Sequence, residues 1–200
     1  MRAKVTAAAL AIVAAVIAAG LAVRGGEAGP PPDTRPRSTY SVTAARAFKG
    51  FPIYYAGDSF EGLPLTAVLR RVDETTSYIS FVYGDCEAGG DLGCAPPAEI
   101  QVWPACLRRL ASYDGAPPFG PVPEETTVRA VRAASFDDGR RLEIQTGGST
   151  VVVFARARDE ALRIAAALRG VNVAVPPAAP LPEPSAEALS RGLSCGGMPP

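Results

Sequence analysis

A nineteen-residue apolar run, Val5–Val23, opens this 200-residue chain and is interrupted only by Thr6. As a helix it spans about 28 Å, close to the roughly 30 Å of bilayer hydrocarbon. A secretory apolar segment is shorter, at roughly 7–15 residues. We read residues 1–24 as a membrane anchor, residues 5–23 being the span. The alternative is a signal peptide cut near Ala18–Ala22, where small residues abound, which leads to a secreted product. Arg2, Lys4 and the α-amino group precede the run, and Arg24 alone follows closely. The N-terminus is therefore expected in the cytoplasm and residues 25–200 outside it. A buried core helix would carry a polar stripe, which this run lacks. No Cys directly follows the run, which excludes a lipobox-type anchor.

The four cysteines, Cys86, Cys94, Cys106 and Cys195, fit an oxidising compartment. Four allow three connectivities. We favour Cys86–Cys94, which closes a short Gly-rich loop, with Cys106–Cys195, which ties down the tail. A four-Cys zinc site needs closer pairs than these spacings provide.

The chain contains no histidine. That removes Ser-His-Asp and Cys-His machinery, imidazole-ligated metals and His-based pH switching. Twenty basic and twenty acidic residues balance. A dedicated nucleic-acid binder needs a basic excess to displace counterions, so no nucleic-acid partner is expected.

Pro and Gly mark the domain limits. Residues 25–41 read as an extended spacer, and residues 176–200 as a Pro-rich tail pinned through Cys195. Residues 42–175 form the candidate extracytoplasmic domain. Leu142–Gln145 alternates cleanly, Val151–Phe154 is apolar on both faces, and Thr146–Ser149 between them is a hairpin turn. Val128–Ser135 followed by Asp137-Asp138-Gly139 completes a three-stranded meander over 128–155. Further strands are expected at Thr66–Val72, Tyr78–Tyr83 and Glu99–Trp103, with an edge strand at Pro52–Tyr55. One helix is expected over Glu160–Arg169, started by Asp159 and ended at Gly170. Its apolar side is Leu162, Ile164, Ala165 and Leu168. A short helix over Thr43–Phe48 is capped by Ser41 or Thr43. The expected class is α+β: a mostly antiparallel twisted sheet of about five to seven strands, one C-terminal helix packed on it, and a single transmembrane helix before it.

Several stretches carry a resemblance: Phe51–Tyr55, Phe60–Leu65, Phe81–Cys86, Cys94–Pro97 and Glu99–Val102. Over about residues 50–170 the chain resembles uncharacterised membrane-anchored extracytoplasmic proteins of high-GC bacteria. The Tyr-Gly-Asp-Cys and Cys-Ala-Pro-Pro pair is its most specific part. The resemblance implies the anchored topology and a Cys86–Cys94 pairing. It brings no activity and no catalytic residue.

Candidate chemistry is sparse. Asp85, Glu87 and Asp91 around the Cys86–Cys94 loop supply oxygen ligands for calcium, but without the EF-hand spacing; a solvated acidic loop is the simpler reading. Gly57–Gly62 superficially resembles a nucleophile elbow around Ser59. It has one residue too many before the last Gly, and its only base in reach would be Lys49, since Lys4 precedes the span. Asp58, Glu61, Asp85 and Glu99 are the acids near aromatics, the minimum for carboxylate-based hydrolysis. Nine aromatics from Phe48 to Trp103 are read as core and cross-strand pairs, with a ligand groove for lipid, glycan or peptide as the alternative. No catalytic, cofactor or metal residue is assigned. The expected role is a non-catalytic envelope domain that meets a protein or a cell-wall polymer, with an apolar-ligand module and a carboxylate hydrolase as alternatives.

Thiol titration of the denatured, non-reduced protein should detect no free cysteine. Two free thiols per chain would refute the two-disulfide scheme.

Overall fold

A computed structural model describes residues 39–72, 77–85, 95–110 and 123–189. The anchor and most of the spacer, Cys86, Cys94, Cys195, Glu87 and Asp91 lie outside the described residues. Among the described residues no helix is long and apolar enough to cross a membrane. Residues 37–200 form a compact unit of their own.

The chain enters through β1 (Thr39–Tyr40) and α1 (Val42–Ala47), followed by β2 (Tyr54–Tyr55) and β3 (Ser59–Phe60). Three long strands come next: β4 (Leu63–Val72), β5 (Ser77–Tyr83) and β6 (Ala98–Pro104). Four more follow, β7 (Glu124–Val128), β8 (Val131–Phe136), β9 (Arg141–Thr146) and β10 (Ser149–Ala155). The helix α2 (Arg158–Ala167), the short strand β11 (Arg169–Gly170) and α3 (Ala186–Leu189) close the fold. The main sheet is antiparallel throughout, in the order β1-β4-β5-β6-β10-β9-β8-β7, with β3 paired to the start of β4. It is two meanders, β4–β6 and β7–β10, joined where β6 pairs β10 from Ala98↔Ala155 to Pro104↔Ser149.

Period-two alternation sends one set of side chains to each face. On the core face the registers align Ile79, Val102, Val151, Ile144 and Ala133 across five strands. A second row runs Phe81, Ile100, Val153 and Leu142. Ala161, Ile164 and Ala165 of α2, then Leu168, close over this face. Beside them lie Phe51, Ile53, Tyr54 and Tyr55, with β2 paired to β11 as a separate two-stranded sheet. The antiparallel α+β class is as expected, but nine strands build the main sheet rather than five to seven.

Local differences have physical causes. The run Val128–Ser135 is not one strand: it turns at Arg129 (φ 49°) and Ala130 (φ 73°), giving a four-stranded meander. Neither residue is a usual left-handed turn former, and each costs about 1–2 kcal/mol there. The Arg129 guanidinium offsets this by donating to three carbonyls, those of Leu168, Pro176 and Ala179, while its own carbonyl accepts from the Leu181 N–H. Burial pushes its pKa down. These contacts dock the chain after α2. Leu181 is buried, and the Pro182 carbonyl accepts from the Thr146 hydroxyl and the Gly147 N–H. Packing against the domain thus continues past residue 175 to Pro182.

The helix α2 begins before Asp159. Its N-cap, Ala157, lacks a capping side chain, and Glu160 instead accepts from the Arg156 N–H and guanidinium. Arg156 draws the Glu160 pKa down. Leu162, expected inside, is 40% exposed, and Ala161 takes its place. Gly170 is not a left-handed cap but part of β11, where an added Cβ would stand 2.0 Å from the Val173 carbonyl oxygen. The short helix forms as expected, with Ser41 accepting from the Ala44 N–H. Asn172, the only asparagine in the chain, holds the strand-to-loop approach. It accepts from the Ile53 N–H at 2.7 Å and donates to the carbonyls of Phe48 and Phe51 at 3.0 and 2.9 Å.

Asn172→Ala strands those three backbone groups and should cost about 2–3 kcal/mol. Urea denaturation followed by circular dichroism measures it, and an unchanged midpoint would count against the clamp.

Candidate functional site

The opposite face of the sheet carries the chemistry. On β6 the apolar residues Ile100 and Val102 point to the core, so Glu99, Gln101 and Trp103 share the other face. There Gln101 pairs with Ser80 on one side and Val152 on the other, and Val152 pairs with Glu143. The next row is Trp103, Thr150 and Gln145.

These side chains form a string. The Trp103 indole N–H donates to the Gln101 oxygen at 3.2 Å, and the Gln101 amide donates to Glu99 Oε1 at 2.9 Å. The Ser80 hydroxyl donates to the same Glu99 oxygen at 2.6 Å. The hydroxyl and amide dipoles both point at one carboxylate oxygen, which holds Glu99 in a single position.

Beside the string stands a stack of rings and cations. Tyr78 and Trp103 stack with centroids 4.3 Å apart and planes at 23°. The Arg71 guanidinium carbon lies 5.9 Å from the Tyr78 ring, and that of Arg108 lies 5.2 Å from Trp103. Arg108 is fixed by two bonds to the buried Glu143 carboxylate, at 2.5 and 3.1 Å. Arg141 approaches Glu143 at 3.7 Å and lies 4.3 Å from the Phe136 ring centroid. Guanidinium over an aromatic face gains about 0.5–2 kcal/mol depending on desolvation. The result is an alternation of cation and ring from β4 to β8.

The segment after β6 builds this arrangement. Pro104 ends the strand, and its carbonyl accepts from the N–H groups of Leu107 and Arg108. The Thr150 hydroxyl donates to the Arg108 carbonyl, and the fully buried Gln145 accepts from the Leu110 N–H at 3.1 Å. Cys106, in the same turn, is disulfide-bonded, with its partner outside the described residues.

Of the acids singled out for hydrolysis, only Glu99 enters this face. Glu61, with φ 45°, bonds Arg163 of α2 at 2.8 and 3.2 Å on the helix side of the sheet. Asp58 and Asp85 are exposed. Ser59 sits in β3 opposite Pro64, while Lys49 follows α1, next to the far end of β4. Among the described residues no three Cys, Asp or Glu side chains gather as a metal site. Most aromatics fill the core, including Phe51, Tyr54, Tyr55, Phe60, Phe81 and Tyr83. The Tyr83 hydroxyl accepts from the Ala56 N–H and donates to the Gly57 carbonyl, and burial raises its pKa. Arg71, Arg108, Glu143 and Ser80 were not legible as site residues. Their only signal was the polar Glu99-x-Gln101-x-Trp103 alternation, which names one strand and none of its neighbours.

Comparison with family models, curated proteins and solved structures returns no match.

Trp103 is the sole tryptophan, so its fluorescence reports the stack alone. Glu143→Gln should loosen Arg108, shift Trp103 emission to the red and cost about 1–3 kcal/mol. Unchanged emission and stability would show that the ion pair does not hold the stack.

Proposed function

We propose that this chain is a non-catalytic, membrane-anchored extracytoplasmic interaction domain of a bacterial envelope. Its recognition surface is the accessible part of this sheet face, the exposed Arg71 with the half-buried Trp103 and Arg108, backed by the buried Tyr78. The observation behind this reading is the preset alternation of guanidinium groups and rings, tied to Glu143. Rings and guanidinium groups held in place lose little side-chain entropy on contact, which favours recognition of a protein or a cell-wall polymer. The apolar run Val5–Val23 and the Pro-rich spacer support an anchored domain held outside the cytoplasm. The carboxylate-hydrolase alternative loses support because Glu61 and Glu99 lie on opposite sides of the sheet. The apolar-ligand alternative loses support because the aromatics expected to line a groove pack into the core.

The test is retention of residues 37–200 on isolated cell-wall sacculi and site-specific photo-crosslinking at position 71 in cells. Arg71→Glu, an exposed change, and Trp103→Ala should each reduce capture at least fivefold. Capture by both variants equal to the parent, with native melting temperatures, would overturn this assignment of the surface.

A further inference from the structure

The strand β7 ends the main sheet, with β8 on one side of it and no strand on the other. Its hairpin to β8 has a two-residue loop, Arg129 and Ala130, both left-handed. Val128 and Val131 are therefore the narrow hydrogen-bonded pair that flanks the loop. Bonding alternates along an antiparallel pair, so Val128, Thr126 and Glu124 direct their N–H and C=O groups to β8. Glu125 and Thr127 direct theirs away from it. Among the described residues nothing bonds those outward groups. The opposite edge of the sheet is guarded. There β1 covers β4 at Val68 and Leu69, and β3 covers its start at Leu63 and Pro64. Short strands, proline and charge are the usual ways of blunting an edge. Between Glu124 and Val128 only charge is present, and Arg158 of α2 neutralises Glu124 through two bonds at 2.7 and 2.5 Å. Glu125 and Thr127 are exposed.

We propose that β7 pairs antiparallel with β7 of a second copy of this chain, about a two-fold axis at Thr126. In that register Glu125 of each copy lies opposite Thr127 of the other, and their outward groups make four backbone hydrogen bonds. Charge and turn geometry select this register. An axis at Glu125 would set two carboxylates directly opposite one another, which is unfavourable. An axis at Thr127 would set Glu125 against Arg129, which lies in the turn and already gives its carbonyl to Leu181. Pro123 has no N–H and ends the usable edge on the other side. The Thr126 side chains, on the core face with Ala133, meet at the axis as a cross-strand Thr–Thr pair, which is favourable. The chain carries no net charge, so no overall repulsion separates the copies. The axis stands perpendicular to the sheet, and the two outer faces therefore point to the same side. Two five-residue strands make an interface below the roughly 1,200 Å² of a stable complex, so the pair is reversible and covalent trapping is the way to read it.

The test is mild oxidation of the full chain in cells, with the parent setting the background from its own cysteines. At Thr126 the two copies' Cα atoms stand about 4.5 Å apart, within disulfide range. At Glu125 they are offset by two residues, more than about 7 Å apart and outside that range. Thr126→Cys should therefore give a disulfide dimer at about fivefold or more the yield of Glu125→Cys. Co-expressed Glu125→Cys and Thr127→Cys chains should cross-link to each other. Thr127→Pro removes one outward N–H and no bond to β8, so adding it to Thr126→Cys should lower the dimer about fivefold or more at an unchanged melting temperature. Equal yields at positions 125 and 126 overturn the proposal, whether or not the proline variant folds. An undiminished dimer from a natively melting proline variant also overturns it, as does capture by Thr126→Cys of a different protein in place of its own chain, identified by mass spectrometry. None of these outcomes touches the Arg71 and Trp103 capture test, which stands or falls separately.

Discussion

The pairing of β6 with β10 is the contact on which the rest depends. It joins strands whose partners lie up to 57 residues apart, Ala98 to Ala155, and turns two separate meanders into one sheet. Without it neither face is continuous. The core rows Ile79–Val102–Val151–Ile144 and Phe81–Ile100–Val153–Leu142 both cross this seam. So does the polar row from Ser80 through Gln101 to Glu143. A one-residue slip would send Val102 outward and Gln101 into the core, so burial of one face specifies the register of the other. The polar site inherits its geometry from the hydrophobic core behind it.

The second requirement is closure of the core by segments distant in sequence. The helix α2 covers only part of the inner face, and the region Phe51–Ala56 covers another part. Two polar side chains hold these covers in place by satisfying backbone groups that have no ladder partner. Asn172 serves the approach to β2, and Arg129 serves the chain after α2. Each replaces missing secondary structure, which is why single side chains here carry several bonds. The left-handed turn at Arg129–Ala130 is tolerated because the same residue that is strained makes the docking contacts.

Rings and guanidinium groups on the outer face are held by Glu143 and by each other, which is what supports the proposed recognition surface. The outer face draws on the abundant arginine of the chain. Arginine that looked scattered in sequence is sorted by strand alternation, Arg71 to the outer face and its neighbour Arg70 to the inner one.

Sequence periodicity was sufficient for β4, β5, β6, β9 and β10, for α1 with its Ser41 cap, and for the turns after Phe136 and Thr146. In each the signal is local: alternation, a cap, or a Gly within two residues of the bend. The existence of α2 was also legible, but not its limits, since Glu160 secures the start through Arg156, ahead of the helix, and Leu168 ends it by packing into the core. Nothing local marks the bend at Arg129–Ala130, because its stability comes from carbonyls about 40 to 50 residues away. The same holds for the site. Glu99, Gln101 and Trp103 could be placed on one face of one strand from spacing alone. Their partners Ser80, Arg71 and Glu143 come from other strands and Arg108 from the turn after β6, and only the registers running from β4 through β5, β6 and β10 to β9 bring them together. Local sequence determined which residues alternate and where the chain turns. The choice of neighbouring strand was left to the tertiary structure, because it rests on burying a shared face that no single segment contains.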